Sequence, residues 1–447
     1  MSAAIPDIDG AVARIRNART YRAEGSVVRV VGLAVESRGP ACSVGEECLL
    51  LDRDGELMCR AQVVGFTDSR VYTMPIDHVH GLTVGSRVVA LGRRPRIGVG
   101  PHLLGRVLDA DGRPLDGSPL PHPGCTYPLE ASAPPALERE RITEPFVTGI
   151  RAIDAMMTLG RGQRLGIFAG SGVGKSTLLG MIARHSEVDL AVIALVGERG
   201  REVREFVEEE LGSDGLRRAV VFVTTSDEPP LRRIRAARAA TAVAEYFRDQ
   251  GRHVVLLMDS ITRVAMAQRE VGLSMGEPPS TKGYPPSVLS LLPRLLERVG
   301  AVRRGGSITG FYSVYVEGDD LNDPVADAAR SLMDGHAVLS RDLAARGHFP
   351  AVDLMDSVSR VMPQVADADH QALARTLRGR LAAIRDAGDL LMLGAYREGT
   401  NADVDAAQRA RKQIQELLVQ SHDVGSSLDE TLGRLRQAVL SGNGDPA

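Results

Sequence analysis

Tryptophan is absent from the 447 residues, and Phe and Tyr bring the aromatic share to only 4%. A protein that tracks single-stranded nucleic acid needs stacking rings and a basic groove, so this scarcity argues against such a role. An excess of one charge is missing as well. Lys and Arg number 54 against 57 Asp and Glu, a formal net charge of −3, which supplies no global field to draw the chain onto a polyanion. Cysteine is sparse. Cys42, Cys48, Cys59 and Cys125 are irregularly spaced, with no C-x-x-C pair and no His companion at ligand distance, so neither a zinc site nor a disulfide framework is expected and reduced cytosolic thiols are. No apolar run approaches the 18 or so residues of a membrane span, and residues 1–10 carry acids rather than a basic lead into an apolar stretch. The chain is expected neither to span a membrane nor to carry a secretory signal.

What is present is an ordinary globular composition, 43% hydrophobic and 25% charged, in a chain long enough for two or three packed domains. Residues 11–22 set Val12, Ile15 and Ala18 at helical spacing beside Arg14, Arg16, Arg19 and Arg22. This reads as a short basic amphipathic helix in an arm spanning 1–24, either a solvated face or a partner-docking element. Residues 25–94 alternate short β-branched runs with Gly turns, the pattern of a small β-barrel. A Pro/Gly-rich connection follows. From there to residue 365, apolar strands alternate with helical segments, which implies a mostly parallel sheet covered on both faces. Strands are predicted at 164–169, 191–196, 219–224, 253–258 and 307–316. Residues 366–447, rich in Ala, Leu, Arg and Gln at helical spacing, are predicted to form an α-helical domain.

The most specific signal is Ala169-Gly170-Ser171-Gly172-Val173-Gly174-Lys175-Ser176. It follows a predicted strand, opens a helix, and matches a phosphate-binding loop with Ala in place of the leading Gly. Glycines let successive N–H groups turn inward around a β-phosphate, and the helix adds its positive end. Lys175 is then expected to reach the β/γ oxygens, Ser176 to place its hydroxyl on Mg²⁺, and Thr177 to reach the α-phosphate.

A phosphate loop alone says nucleotide, not reaction. The 191–196 strand runs into Gly197 and Glu198, which places Glu198 at the carboxyl end of a parallel strand, where it can orient an attacking water. An acid stabilising a helix N-terminus is the alternative, although Glu202 serves that end as well. The 253–258 strand is almost purely apolar and stops at Asp259, the place of a carboxylate that holds Mg²⁺ through water.

Longer motifs carry a resemblance. Gly197-Glu198-Arg199-Gly200-Arg201-Glu202-Val203 and Glu277-Pro278-Pro279-Ser280-Thr281-Lys282-Gly283-Tyr284-Pro285-Pro286-Ser287 resemble the export ATPases of flagella and type III secretion systems, relatives of the catalytic subunit of rotary ATP synthases. Glu317-Gly318-Asp319-Asp320, Asp334-Gly335-His336, Leu339-Ser340-Arg341 and Ser357-Val358-Ser359-Arg360-Val361-Met362 match too.

The resemblance implies an N-terminal β-barrel, a central RecA-like P-loop ATPase domain and a C-terminal helical domain, assembled as a homohexamer with ATP/ADP and Mg²⁺ at sites between neighbours. It implies that Arg360 acts in trans as an arginine finger, that Arg199 meets the γ-phosphate in cis unless it forms a plain surface ion pair, and that Tyr396 stands near the adenine unless it is a core Tyr. Expected partners are a stator or regulator on the N-terminal arm, a central stalk, an export gate and chaperone–substrate complexes, with no nucleic acid. Localisation is expected to be cytoplasmic, at the inner-membrane face and in peripheral association only. The residue pattern tilts toward the flagellar branch through Thr281-Lys282-Gly283-Tyr284, with a virulence-type secretion ATPase, a rotary synthase subunit, a non-catalytic nucleotide-binding subunit and an RNA-translocating hexamer as the competing readings.

Overall fold

The computed structural model describes residues 23–316 and 323–442. The basic stretch at 11–22 and the Glu317-Gly318-Asp319-Asp320 motif lie outside the described residues. The chain divides into two compact units, residues 1–95 and 96–447.

The first unit is a closed six-stranded barrel of Ala23–Val31, Ala34–Arg38, Glu47–Leu51, Leu57–Thr67, Arg70–Pro75 and Arg87–Ala90. Its interior follows from the period-two alternation of each strand. Val27, Val35, Leu50, Ala61, Val63, Val71 and Val88 point inward and form its hydrophobic core. Cys48 and Cys59 belong to the same core, where burial pushes both thiols up to about 12 and leaves them poor nucleophiles.

The second unit is built on a nine-stranded sheet. Its main path runs Val352–Ser359, Gly335–Leu339, Arg164–Ala169, Ser307–Tyr315, His253–Asp259, Leu190–Glu198, Ala219–Thr225, Arg106–Leu108. Every pairing along that path is parallel except the first, where Val352–Ser359 lies antiparallel to its neighbour. Helices such as Lys175–His185, Pro230–Asp249 and Ile261–Ser274 cover the faces. This is why Leu190–Val196 and Val254–Met258 are unbroken apolar runs, all of them buried. The connection after the barrel is more structured than a linker, since residues 106–108 add the far edge strand by pairing with Val220–Phe222.

The C-terminal helices share the core of the sheet. Ala374 and Leu377 from Ala368–Asp386, Ile414 and Leu417 from Arg411–Leu418, and Leu435 and Val439 from Leu428–Leu440 join one hydrophobic cluster with Ile153, Ile167 and Ile193. No helix among the described residues is long and apolar enough to cross a membrane.

Candidate active site

In a parallel sheet all carboxyl ends face one way, and ligands collect there. Arg164–Ala169 ends at the loop 170–174, and the helix Lys175–His185 begins at once. Gly172 and Gly174 have φ of +76° and +88°, a region that side chains oppose. A Cβ on Gly172 would touch nothing within 4 Å, so conformation rather than space demands glycine there. The amides of the first helical turn are left pointing into the loop, with the positive end of the helix behind them.

Lys175 gathers the carboxylates of neighbouring strands. Its Nζ donates to Oδ1 of Asp259 and lies 3.7 Å from Oε1 of Glu198. Ser313, on the strand between the loop strand and that of Asp259, donates its hydroxyl to the same Asp259 oxygen at 2.6 Å. Asp259 is 3% exposed, a burial sustained by the bonds from Lys175 and Ser313. Ser260, the next residue, caps the following helix by accepting from the Arg263 N–H. Glu198 overhangs this cluster, since Leu195 rather than Glu198 is level with Asp259 in the sheet.

The charges set one another. Burial alone would drive the Lys175 ammonium toward neutrality, but Asp259 and Glu198 outweigh it and its pKa is raised, so the cation persists. Burial, then the charge of Asp259, pushes Glu198 up to about 7, against the pull of Lys175. Glu202 is hydrogen-bonded to Glu198 and is held below the usual range by that bond.

Ser176 presents an exposed hydroxyl in the first turn of the helix. Its oxygen and those of Asp259 are the donor type that suits a hard cation such as Mg²⁺. No group of three or more His, Cys, Asp and Glu among the described residues is arranged to hold a metal ion. A magnesium ion here would therefore complete its shell from water and phosphate, its ordinary habit with nucleotides.

Beside the loop lies a pocket of about 430 Å³ lined by Gly174, Thr177, Leu178, Met181, Phe349, Pro350 and Val419 to His422. The Phe349 ring would stand 3.5 Å from a Cβ on Gly174 and is 44% exposed, a ring face open to a planar ligand. Gln420 fixes the opposite wall, donating its backbone N–H to the Phe349 carbonyl at 2.9 Å and its amide to the Gly149 carbonyl at 2.8 Å.

Residues 149–359 match the nucleotide-binding domain of the ATP synthase alpha/beta family, residues 27–92 its β-barrel domain, and residues 366–437 the C-terminal domain of the type III secretion ATPase EscN. The chain is 49% identical to the flagellum-specific ATP synthase of Bacillus subtilis over 426 residues, covering 95% of this chain and 96% of that protein. It is 48% identical over 411 residues to the type 3 secretion system ATPase of Xanthomonas euvesicatoria, covering 92% and 93%. Among solved structures, assembled EscN in complex with its central stalk EscO, from enteropathogenic E. coli, matches with a TM-score of 0.85 at 42% identity, covering 93% of this chain and all of that one. The chain belongs to the ATP synthase alpha/beta family. Within it, the chain stands with the flagellar and type III secretion ATPases and is an ATP hydrolase.

The remaining residues singled out for this ATPase fall in three different settings. Arg199 directly follows Glu198 but is a surface side chain, 82% exposed and 3.5 Å from Glu202. Arg360 is exposed and sits at the opposite end of the sheet, just past the antiparallel edge strand, where its N–H donates to the carbonyl of Asp334. Asp334 bonds to Arg164, the first residue of the loop strand, so five residues of strand, roughly 17 Å at 3.3 Å each, separate Arg360 from its own loop. Arg360 therefore cannot serve the loop of the chain that carries it.

Tyr396 is not brought to the pocket. Its hydroxyl donates to Asp405 at 2.8 Å and meets the backbone of Asn401, closing a local turn of the helical region. The aromatic that lines this pocket is Phe349. Its signal in the sequence was weak, one aromatic before a proline, and nothing near it in the chain reveals that it returns to Gly174.

Proposed function

We propose that this ATPase is the Mg²⁺-dependent motor of a bacterial flagellar type III protein export apparatus, hydrolysing ATP in a homohexameric ring to release chaperones and substrates for export. The observation that carries the reading is the convergence of Lys175, Asp259 and Glu198 on one phosphate loop, while Arg360 lies exposed at the other end of the sheet. Such a chain holds most of a phosphoryl-transfer site and offers its remaining cation to a neighbour.

In this reading the amides of residues 170–175 and the Lys175 ammonium grip the β- and γ-phosphates, and Thr177 reaches the α-phosphate. Phe349 stacks on the base. Ser176, with Asp259 acting through water, would hold a magnesium ion, which would supply charge neutralisation to the phosphates. Glu198 takes the hydrogen bond of the attacking water and aligns it with the γ-phosphorus; its raised pKa makes it a ready proton acceptor near neutral pH. Arg360 of the next copy meets the charge that builds on the γ-phosphate, and Arg199 adds a second cation in cis. Closure of the ring interface on ATP is then reversed when the γ-phosphate leaves.

The partners follow from relatives. A central stalk in the ring, a stator or regulator on residues 1–24, an export gate, and a peripheral position on the cytoplasmic face of the inner membrane complete the proposal. The Thr281-Lys282-Gly283-Tyr284 stretch favours the flagellar branch. The test is phosphate release by the purified full-length chain with and without Mg²⁺, followed by rescue of motility in a flagellar-ATPase deletion strain. Hydrolysis with rescue supports the proposal; absence of Mg²⁺-dependent hydrolysis overturns it, and hydrolysis that restores only virulence-type secretion moves the chain to the injectisome.

A further inference from the structure

The Thr177 hydroxyl, expected to serve the α-phosphate, already has a partner. It donates to Oε1 of Glu210 at 2.6 Å. A hydroxyl carries one proton, so it cannot donate to a carboxylate and to a phosphate oxygen together. The bond to Glu210 is of the stronger, charge-assisted kind.

The position of Glu210 is built closely. It sits in a π-helical stretch, Phe206–Leu211, that follows the helix Gly200–Glu205. Gly180 on the phosphate-loop helix packs against it without a side chain: a Cβ there would lie 2.9 Å from both the Cβ and the carbonyl oxygen of Glu210. In the preceding helix, Gly200–Glu205, Glu202 bonds to Glu198, which stands beside Lys175. Residues 200–211 thus hold one carboxylate on the hydrolytic side of the loop and one on Thr177. A π-helical turn is a point where helical register changes with little disruption.

Resting on the nucleotide-binding reading above, we propose that Glu210 is a positioning residue that competes with the nucleotide α-phosphate for the Thr177 hydroxyl, so that residues 200–211 respond to occupancy of the phosphate loop. Nucleotide entry turns the hydroxyl toward phosphate and frees the Glu210 carboxylate. Departure of nucleotide is assisted when Glu210 takes the hydroxyl back. The family's phosphate loop supplies the grip; Glu210 weakens it.

The test is ADP affinity by calorimetry on the full-length chain, comparing wild type, Glu210→Ala, Glu210→Gln, Thr177→Ala and the double variant Thr177→Ala/Glu210→Ala. Glu210→Ala keeps the Cβ beside Gly180 and removes the acceptor, and is expected to tighten ADP binding about three- to tenfold. Glu210→Gln, isosteric and still an acceptor but uncharged, is expected to give a smaller gain, and it carries the test if the Ala variant fails to fold. On the Thr177→Ala background, removing Glu210 is expected to change affinity by less than about twofold, because the contested proton is gone. An unchanged or weakened affinity in both single Glu210 variants overturns the proposal, and so does an equal gain with and without the Thr177 hydroxyl. Failure of the wild type to bind ADP overturns the underlying reading; wild-type binding without these differences overturns only the role of Glu210.

Discussion

At the scale of single residues, Glu198 is the most exposed to test. A neutral Gln keeps its shape and removes its capacity to accept a proton. Glu198→Gln is expected to bind ATP and to lose turnover by at least about a hundredfold, checked by nucleotide binding alongside phosphate release. The raised pKa has a separate consequence for stability. The folded chain holds a proton on Glu198 up to about 7, whereas the unfolded chain gives it up near the ordinary carboxylate value. Between those two points the folded state binds more protons, so its stability falls as pH rises. Glu198→Gln is therefore expected to melt higher than wild type at pH 8, by on the order of 1 kcal/mol, and to show little difference at pH 4.5. The opposite trend in a thermal melt series would contradict the burial of Glu198 beside Asp259. Phe349→Ala removes the ring beside Gly174 and is expected to raise KM for ATP by roughly three- to tenfold with kcat little changed, the mark of lost uniform binding.

The elements explain why such residues meet. The phosphate loop is local: strand, glycines, lysine and helix occur in consecutive positions. Asp259 and Glu198 each end an apolar strand, and parallel pairing places both ends on one side of the sheet. What the local pattern cannot show is strand order. The strand carrying Ser313 lies between those of Ala169 and Asp259 although it comes last of the three in the chain, so the Ser313 bond to Asp259 was not foreseeable. The contact of the helix Lys175–His185 with Phe206–Leu211 is of the same kind, and it depends on Gly180. Gly180→Val drives a branched side chain into the Glu210 backbone, and is expected to destabilise the chain by about 1–3 kcal/mol in a denaturant titration.

For the whole molecule, the position of Arg360 is decisive. It stands a strand length from its own loop, so the finger role proposed for it requires a second copy. Arg360→Ala and Glu198→Gln are each expected to be inactive alone. When the two variants are mixed and allowed to assemble, some interfaces pair an intact Glu198 with an intact Arg360. Phosphate release is then expected to recover to a fraction of the wild-type rate, falling again on dilution that dissociates the ring. A mixture as inactive as its components would show that the two residues do not share a site across an interface.

The sequence by itself determined the chemistry. Contiguous glycines with Lys175, and acids at the ends of apolar runs, are dictated by local conformation and by the burial of a parallel sheet, and both are written in neighbouring positions. Only the tertiary structure decided that Phe349 rather than Tyr396 stands beside the phosphate loop, that Glu210 holds Thr177, and that Arg360 lies a strand length from its own loop. Those outcomes depend on which strands and helices pack together and on one edge strand running antiparallel. Contacts between segments far apart in the chain leave no periodicity in either segment, which is why they emerge only when the fold is closed.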